Sequence, residues 1–398
     1  CNKGKCIVVI ANTVLSAQAI YAEICKRLPG AKKIIDYDSF DSSDIIIGLF
    51  HARFPAGKRQ HIENCILDLF DKRSIPTKNK NGIEKIVTKR PTRAILVATQ
   101  VVEQSLDIDF DEMITEIAPV DLLFQRAGRM HRHDRPNRVE PGTARLHVLL
   151  PELPAKTFGG SGRVYHPHVL MRTCMEIVPR EVLKLPHDMR ALIEGVYGNF
   201  SMDPAKYVVH KGIPVVDPDL LESTKQDLEE EITRDKQKPG SYILAEPSKK
   251  TFKVAQQEHT VYADEDDAPD AGHFIARTRL EKYRQIRVIL LGESEFEDIV
   301  RKKQSPSAEV IKQLMACFVA LPAWWFSRVQ PNPGYAPLQY GPSWLRGYFI
   351  LRLNNDRWEG ITYDGQLRMV VNDDERGVYL DHEDEHEKVF DDNNKDKE

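Results

Sequence analysis

The sequence predicts an α/β fold: a mainly parallel sheet flanked by helices, followed by a helical linker and a small mixed α+β C-terminal domain. Three observations predict it. Short apolar runs alternate with amphipathic segments over residues 1–150, charged segments of helical period follow, and aromatic-rich strand patterns appear after residue 240. Strands that alternate with helices at this spacing form βαβ units, which build parallel sheets.

The first 150 residues carry the clearest pattern. Apolar runs predict strands at 6–11, 44–51, 94–100, 113–118 and 144–150. Amphipathic periods predict helices at 14–28, 57–73 and 121–132, and Asn12 or Thr13 is suited to cap the first helix. The polar, lysine-bearing stretch 74–93 is predicted to be an exposed loop. These elements define the predicted first domain, residues 1–150.

After Pro151 the pattern changes. Residues 151–240 are predicted to be a linker with helices, which include 188–197 and a charged helix at 220–238. Residues 241–380 are predicted to form a C-terminal accessory domain with a strand at 285–291, a helix at 308–321 and strands at 348–353 and 358–363. The tail, residues 381–398, has nine acidic residues and three lysines, so we predict disorder there.

Composition limits the class of protein. The chain is 41% hydrophobic and 29% charged, as is usual for globular proteins. No apolar run reaches the roughly 18 residues that a membrane span needs, so we expect no membrane partner and a cytoplasmic location. Residues 1–150 hold 23 Lys and Arg against 18 Asp and Glu, a balance that suits a nucleic-acid surface. The chain begins with Cys1, so we expect further sequence upstream.

The segment 125–132 (QRAGRMHR) carries the strongest chemical signal. If the helix continues to residue 132, Arg126, Arg129 and Arg132 lie along one face. The planar guanidinium contacts phosphate oxygens in pairs and keeps its charge, so such a cluster can stabilise a γ-phosphate during transfer. Gly128 would permit close approach of another backbone. The alternative interpretation is a salt-bridged surface helix.

The segment 99–107 (TQVVEQSLD) favours the chemical interpretation. It follows a predicted strand directly, and parallel sheets bind ligands at the carboxyl ends of their strands. Thr99, Gln100 and Ser105 offer hydroxyl and amide groups suited to nucleic-acid phosphates, and Asp107 offers a carboxylate suited to a ribose hydroxyl.

Together, the blocks VATQVVEQSLDIDFD and QRAGRMHRH resemble motifs V and VI of superfamily 2 helicases. Asn12-Thr13 and the stretch 50–54 (FHARF) resemble motif IV and its neighbour. The sequence is most similar to the CRISPR-associated helicase–nuclease of type I systems. Segments that carry this resemblance include LFQRAGRMHRHDRP and FGGSGRVYHPHVL. The resemblance covers residues 1–170 firmly and implies the second RecA-like lobe of that family, with its linker and C-terminal domain.

The resemblance implies an ATP-driven motor that moves 3′ to 5′ along single-stranded DNA and is recruited by a crRNA-guided surveillance complex in antiviral defence. It implies finger arginines at Arg129 and Arg132, and nucleotide contacts by Gln125, Arg126, Gly128 and Asp107. The DNA track it implies is bordered by nine residues: Asn12, Thr13, His51, Arg53, Thr99, Gln100, Glu103, Gln104 and Ser105.

Parts of such a motor are missing from the sequence. GxxxxGK[ST], the loop that cradles phosphates, does not occur, and Asp111-Glu112 lies within the motif V block rather than in a separate Mg²⁺-binding box. The dipeptides His133-Asp134 and His187-Asp188 lack the further ligands of a metal nuclease. We therefore expect ATP with Mg²⁺ to be bound mainly by a missing first lobe, the HD nuclease to be absent, and no metal site here. The chain alone is expected to be inactive.

Two other functions remain open: another superfamily 2 DNA or RNA helicase, and a non-catalytic module that binds DNA or a partner. The HExxH match at 382–386 lies in the acidic tail, without an apolar helix to orient both imidazoles. One further group could stack on bases but is expected to fill a core instead: Trp324, Trp325, Phe326, Trp344, Tyr348 and Trp358.

Overall fold

The computed structural model describes residues 4–39, 41, 43–71, 76–78, 84–86, 90–103, 106–135, 138, 144–198, 208–236, 285–301, 306–330, 335–337 and 348–381. Contacts divide the chain into two compact units. The first consists of Cys1–Asp109 and Tyr283–Glu398, and the second of Phe110–Lys282. The predicted domain boundary at residue 150 falls inside the second unit, so it does not coincide with this division. The predicted acidic tail, 381–398, lies outside the described residues except for Asp381.

A six-stranded parallel sheet organises the fold, which confirms the predicted α/β class. Its strands are β1 (Cys6–Ile10), β2 (Lys32–Lys33), β3 (Ile45–Phe50), β6 (Arg93–Ala98), β7 (Glu112–Glu116) and β8 (Arg145–Leu149). Their order across the sheet is β2-β3-β6-β1-β7-β8. The five longer strands were predicted to within two residues at each end, and the two-residue strand β2 was missed.

In the first unit, helices α1 (Val14–Arg27) and α2 (Ala56–Phe70) accompany the sheet. Thr13 caps α1, because its Oγ1 accepts a hydrogen bond from the amide of Ser16 at 3.1 Å. Ile10, Ile47 and Leu96 are almost fully buried in the sheet core. The stretch predicted as an exposed loop contains a short antiparallel pair, β4 (Pro76–Lys78) and β5 (Glu84–Ile86).

The same unit contains the C-terminal accessory part, which is mixed α+β as predicted. Its elements are β11 (Gln285–Gly292), α8 (Glu293–Arg301), α9 (Ala308–Ala316), β12 (Phe318–Pro322), β13 (Tyr335–Pro337), β14 (Phe349–Leu353), β15 (Arg357–Ile361), β16 (Leu367–Asp373) and β17 (Gly377–Leu380). One sheet has the order β12-β11-β14-β13, and β15-β16-β17 form a second, antiparallel sheet. The helix predicted at 308–321 is wrong in its second half, because β12 pairs with β11 there.

Alternation along β11 explains how the accessory part is layered. Val288 and Leu290 pack with Trp325 and Trp358, whereas Ile289 lies in a separate core with residues of α8 and α9. Successive side chains of a strand point to opposite faces, so one strand serves both cores. Trp325 and Trp358 are at most 2% exposed, which confirms the expected core role for these two residues. Trp344 lies outside the described residues.

The second unit contains β7, β8 and mostly helical segments: α3 (Val120–Ala127), α4 (Ser161–Val164), α5 (Pro167–Ile177), α6 (Met189–Tyr197), β9 (Val209–His210), β10 (Ile213–Pro214) and α7 (Pro218–Lys236). Its main core joins Ile117 and Leu123 to Leu170, Met171 and Leu221. Among the helices that the structure describes, none is both long and apolar enough to cross a bilayer.

Candidate nucleotide and nucleic-acid site

Three neighbouring strands of the first unit end level with one another. Ala98 at the end of β6 is the register partner of both Ile10 in β1 and Phe50 in β3. The Thr99 amide then donates to the Phe50 carbonyl at 3.1 Å, and the Ala11 amide donates to the Ala98 carbonyl at 2.9 Å. The segments that follow these strands therefore share one edge of the sheet, where open α/β sheets bind ligands.

A side-chain hydrogen bond joins two of these segments. Gln100 Nε2 donates to the Asn12 carbonyl at 2.8 Å. Thr13, next along the chain, is half-buried at the N-terminus of α1, where the helix dipole favours negative charge. The half-buried side chains Thr13 and Gln100 thus lie where a phosphate could approach.

Other predicted track residues are not accessible. Asn12, Thr99 and Glu103 are 3–4% exposed, so DNA cannot reach their side chains in this arrangement. Their predicted DNA contacts are therefore revised, and these residues shape the sheet edge from within. Gln104 and Ser105 lie outside the described residues.

His51 departs most clearly from its predicted role. Its side chain is fully buried and stacks on Phe54, with ring centroids 4.6 Å apart. Nδ1 accepts from the Arg53 amide at 3.1 Å, so Nε2 carries the proton and donates to the Arg376 carbonyl at 2.9 Å. Burial, aided by the nearby Arg53 charge, lowers the pKa of His51 to about 3. A neutral, enclosed imidazole cannot bind a DNA phosphate, so that prediction is corrected.

Arg53 is half-buried, and its guanidinium lies over the Trp325 ring, 4.8 Å from the ring centroid. Such cation–π contacts between an arginine and a tryptophan are favourable. The structure thus places Arg53 against the accessory core rather than at an open DNA surface, contrary to its predicted track role.

In the second unit, the arginine motif is not one continuous helix. Helix α3 ends at Ala127, and His131 has φ of 49°. The Phe110 amide donates to the Arg129 carbonyl at 3.0 Å, and the His131 amide donates to the Phe110 carbonyl at 3.1 Å. The predicted helix to residue 132 is therefore wrong, because residues 129–131 pair with Phe110 in an extended turn.

Arg126 points inward. It is fully buried, and its Nη1 donates to Thr115 Oγ1 at 2.5 Å and to the Glu116 carbonyl at 3.2 Å. Its Nη2 donates to the Tyr165 hydroxyl at 3.3 Å. Because its Nη1 and Nη2 groups already donate to partners inside the unit, Arg126 is a structural residue, and its predicted contact with the nucleotide is corrected.

The remaining residues of the motif differ in exposure. Gln125 and Arg132 are exposed, and Arg129 is half-buried. Gly128 has an ordinary φ of −65°, and an added Cβ would meet only the Gln125 and Phe124 carbonyls at 3.4 and 3.5 Å. The described residues thus give no close backbone approach that requires glycine at 128, and its nucleotide contact stays a prediction.

An ion pair that the sequence did not reveal holds the turn after the motif. Arg138 Nη1 lies 2.6 Å from Asp111 Oδ1, with side chains only 4% and 12% exposed. Arg138 Nη2 also donates to the His133 carbonyl at 3.2 Å. Arg138 thus orders the chain that follows Arg132. Its position six residues beyond the motif offers no sequence signal of this pairing.

Asp107 belongs to the first unit and is half-buried. The segment after it is fixed, because the Asp109 amide donates to the Phe70 carbonyl at 3.1 Å and Arg90 Nη1 donates to the Asp109 carbonyl at 2.6 Å. The carboxylate therefore extends from an anchored backbone, as a ribose-binding group requires.

Comparison with known proteins identifies relatives of this chain. Residues 3–135 match the family model described as CRISPR-associated nuclease/helicase Cas3, C-terminal. A CRISPR-associated endonuclease/helicase Cas3 of Thermus thermophilus is 44% identical over 155 residues, which cover 38% of this chain and 15% of that protein. The Cas3 of Escherichia coli is 36% identical over 213 residues, covering 52% and 20% respectively. The chain thus matches less than a quarter of either relative.

Solved structures extend the likeness. A structure titled as a CRISPR-associated protein aligns with a TM-score of 0.68 and 26% identity, covering 95% of this chain and 38% of that one. The crystal structure of T. fusca Cas3 aligns with a TM-score of 0.59 and 24% identity, covering 94% and 39%. These comparisons confirm the predicted resemblance to the C-terminal lobe and accessory region of the CRISPR-associated helicase–nuclease.

Proposed function

We propose that this chain, which carries a Cas3-like C-terminal lobe, is the second half of an ATP-dependent motor that moves 3′ to 5′ along single-stranded DNA. The observation that carries the proposal is the level edge of β1, β3 and β6, where Gln100 and Asn12 are joined and Thr13 caps a helix. This edge lies within the segment matched by the Cas3 family model.

In the proposed motor, Thr13 and Gln100 contact the DNA backbone. A hydroxyl and an amide can bind phosphate oxygens of any sequence, as a translocating enzyme requires. The buried residues Asn12, Thr99 and Glu103 maintain the shape of this edge. We further propose that the motor acts in the cytoplasm.

Arg129 and Arg132 are the proposed finger residues. The exposed guanidinium of Arg132 and the half-buried one of Arg129 lie in the turn that Phe110, Asp111 and Arg138 hold in place. A fixed arginine fork stabilises the charge that develops on a transferring phosphoryl group. Gln125, exposed one turn before Arg129, is proposed to couple the nucleotide to the first lobe, and Asp107 is proposed to contact the ribose.

ATP and Mg²⁺ fit this chain only in part. The chain supplies guanidinium and carboxylate groups, but its sequence contains no phosphate-cradling loop. We assign the loop and the Mg²⁺ ligands to a first lobe outside this sequence, along with an HD nuclease. Two solved structures of T. fusca Cas3, described as Cas3-AMPPNP and Cas3-ATP, share the fold of this chain. ATP would supply the free energy for movement, and the arginines here would complete its site.

A crRNA-guided complex is the proposed recruiter of the motor. A chain from a structure titled CRISPR RNA-guided surveillance complex, pre-nicking, aligns with a TM-score of 0.55 and 24% identity over 94% of this chain. At that identity the likeness supports a shared fold, and the partner remains part of the proposal.

The test is ATP hydrolysis stimulated by single-stranded DNA, measured for the chain alone and after mixing with a first lobe carrying the phosphate loop. We expect no turnover by either half and turnover on mixing. Turnover by the chain alone would contradict the division of the site between two lobes. Tight DNA binding without turnover in the mixture, with both halves folded, would favour a non-catalytic binding module.

A further inference from the structure

The turn between β16 and β17, residues 373–377, is preorganised to contact the helicase lobe. Asp373 Oδ1 accepts from the amides of Glu375 and Arg376, each at 2.8 Å. Asp side chains that bond their own backbone two and three residues on stabilise tight turns. The Arg376 side chain also lies over the Tyr379 ring at 4.1 Å. The shape of the turn is therefore set within the accessory part itself.

Hydrogen bonds join this turn, and Val378 directly after it, to the lobe within the same compact unit. The Arg376 carbonyl accepts from Gln18 Nε2 at 2.8 Å and from His51 Nε2 at 2.9 Å. In return, the Val378 amide donates to the Arg53 carbonyl at 2.8 Å. Gln18 and His51 are at most 5% exposed, so loss of the turn would leave buried donors without acceptors, which is costly.

Gly377 makes this approach possible. Its φ is 74°, and an added Cβ would lie 2.8 Å from His51 Cε1 and 2.9 Å from the Arg53 carbonyl oxygen. Real Cβ atoms do not approach so closely. Gly365, in the neighbouring turn between β15 and β16, has φ of 83° but nothing within 4 Å of its added Cβ. An alanine at either position would meet the same backbone strain, but only at Gly377 would its Cβ meet the lobe.

Further contacts link the lobe to the accessory part: a close approach of α2 to α9 and two ion pairs made by the turn. The Gly57 position in α2 lies so near α9 that an added Cβ would be 3.0 Å from the Ala316 Cβ. Lys33 forms an ion pair with Glu375 at 2.9 Å, and Lys58 forms one with Asp374. These ion pairs are partly exposed and contribute little by themselves. The buried hydrogen bonds at Arg376 and Val378 are the specific part of the contact.

The segment 51–54 lies between this turn and the proposed DNA site. It follows β3 directly, and the Phe50 carbonyl at the end of β3 accepts from the Thr99 amide. A shift of 51–54 therefore moves the edge on which Gln100 and Thr13 lie. Since displacement of a positioned group by about 1 Å can reduce activity strongly, whatever fixes 51–54 affects DNA binding.

We propose that the 373–377 turn is a positioning element of the motor: it holds residues 51–54 against the end of β3, so that the accessory part and the DNA-binding edge move as one body. The role in DNA binding rests on the proposed function, whereas the contact itself does not. His51 and Gln18 act here as positioning residues and do not touch DNA.

Hydrogen–deuterium exchange of the full 398-residue chain tests the contact. In Gly377→Ala we expect the amides of 51–54 to exchange about tenfold faster, because their opening becomes easier. Gly365→Ala is the matched control and should leave these amides unchanged. Gln18→Ala, which removes one donor without a clash, should accelerate the same amides less. Unchanged exchange of peptides from β11 and β14, which pair in the same compact unit, would show that the variants are folded.

The positioning role of the turn is tested by the kinetics of the motor assembled from this chain and a first lobe. For Gly377→Ala we expect the apparent KM for single-stranded DNA to rise about tenfold while kcat stays within about twofold. Gly365→Ala should match the wild type. Unchanged exchange at 51–54 in Gly377→Ala overturns the whole proposal. Faster exchange with an unchanged KM overturns the positioning role. If the wild-type motor shows no turnover, the proposed function is contradicted. Hydrogen–deuterium exchange at 51–54 then still tests whether the 373–377 turn contacts this segment.

Discussion

Gln100 and Asn12 are 88 positions apart in the sequence, yet the Gln100 amide group donates to the Asn12 carbonyl at 2.8 Å. The bond joins the segment after β6 to the segment after β1. A glutamine at this position therefore has a geometric task that asparagine, being one methylene shorter, cannot perform from the same backbone. The bond also fixes the orientation of the Gln100 amide group, and with it the direction in which the amide oxygen points.

Gln100→Ala should weaken single-stranded DNA binding of the chain about fivefold, since one hydrogen bond is worth about 1 kcal/mol. Fluorescence anisotropy at one fixed salt concentration measures this. Gln60→Ala is the control, because Gln60 is exposed on α2. Equal affinity of the Gln100 variant and the control would remove Gln100 from the proposed track.

Arg132→Ala should reduce DNA-stimulated ATP turnover of the assembled motor by about 10³-fold and leave ATP binding within about threefold. The reason is that a finger arginine acts mainly on the charge of the transition state. Arg27→Ala is a suitable control, since Arg27 is 76% exposed and pairs only with Glu23 among the ion pairs of the described residues. If turnover of the Arg132 variant matched that of the control, the finger assignment would fail.

Arg126→Leu should destabilise the chain by about 3 kcal/mol, because Thr115, Glu116 and Tyr165 lose their shared donor in a buried site. Tyr165→Phe should cost about 1 kcal/mol. Urea unfolding measures both as a fall in the denaturation midpoint. A stable Arg126→Leu variant that fails only in ATP turnover would restore Arg126 to the nucleotide site.

Acid should destabilise the chain below neutral pH through two histidines. Burial lowers the pKa of His51 to about 3 and of His168 to about 4, so the unfolded chain binds protons that the folded chain excludes. The contribution of each neutral imidazole to the free energy of unfolding is fully present above about pH 6.5. It is lost as the pH falls toward these pKa values, by up to about 1.4 kcal/mol per pH unit for each histidine.

Urea unfolding at pH 7.5 and pH 5 measures this effect. His51→Gln should be less stable than wild type at pH 7.5 but should lose less stability on acidification. His61→Gln, at an exposed position on α2, should retain the wild-type pH dependence. Equal acid sensitivity of His51→Gln and wild type would show that His51 is not the titrating group.

The strands of the main sheet could be predicted because their apolar runs are bounded by polar segments. β1 and β6 are such runs, and their burial follows from the hydrophobic effect alone. The second half of the stretch 308–321 was wrongly predicted to be helix because its apolar composition suits either state. Residues 318–322 form a strand because β12 pairs with β11, which lies more than 20 residues earlier in the sequence.

The position of Thr99 and Gln100 directly after a strand was predictable, whereas the contacts of the predicted site residues were not. The QRAGR segment identified the arginine turn, but the helix end at Ala127 depends on pairing with Phe110 upstream. Likewise, the residue type of His51 suggests a phosphate ligand, whereas its buried ring donates to the carbonyl of Arg376, 325 positions later. A contact at that separation leaves no periodic signal in either segment.

The first compact unit is assembled from two stretches of chain separated by the whole of the second unit. On a ribosome, residues 1–109 emerge while their complement is still unsynthesised. Until the 373–377 turn is made, His51 Nε2 and the amide of Gln18 lack the Arg376 carbonyl as an acceptor. The end of β3 therefore stays without this partner while the second unit is being synthesised, and proteins that recognise unfinished folds have that interval in which to bind it.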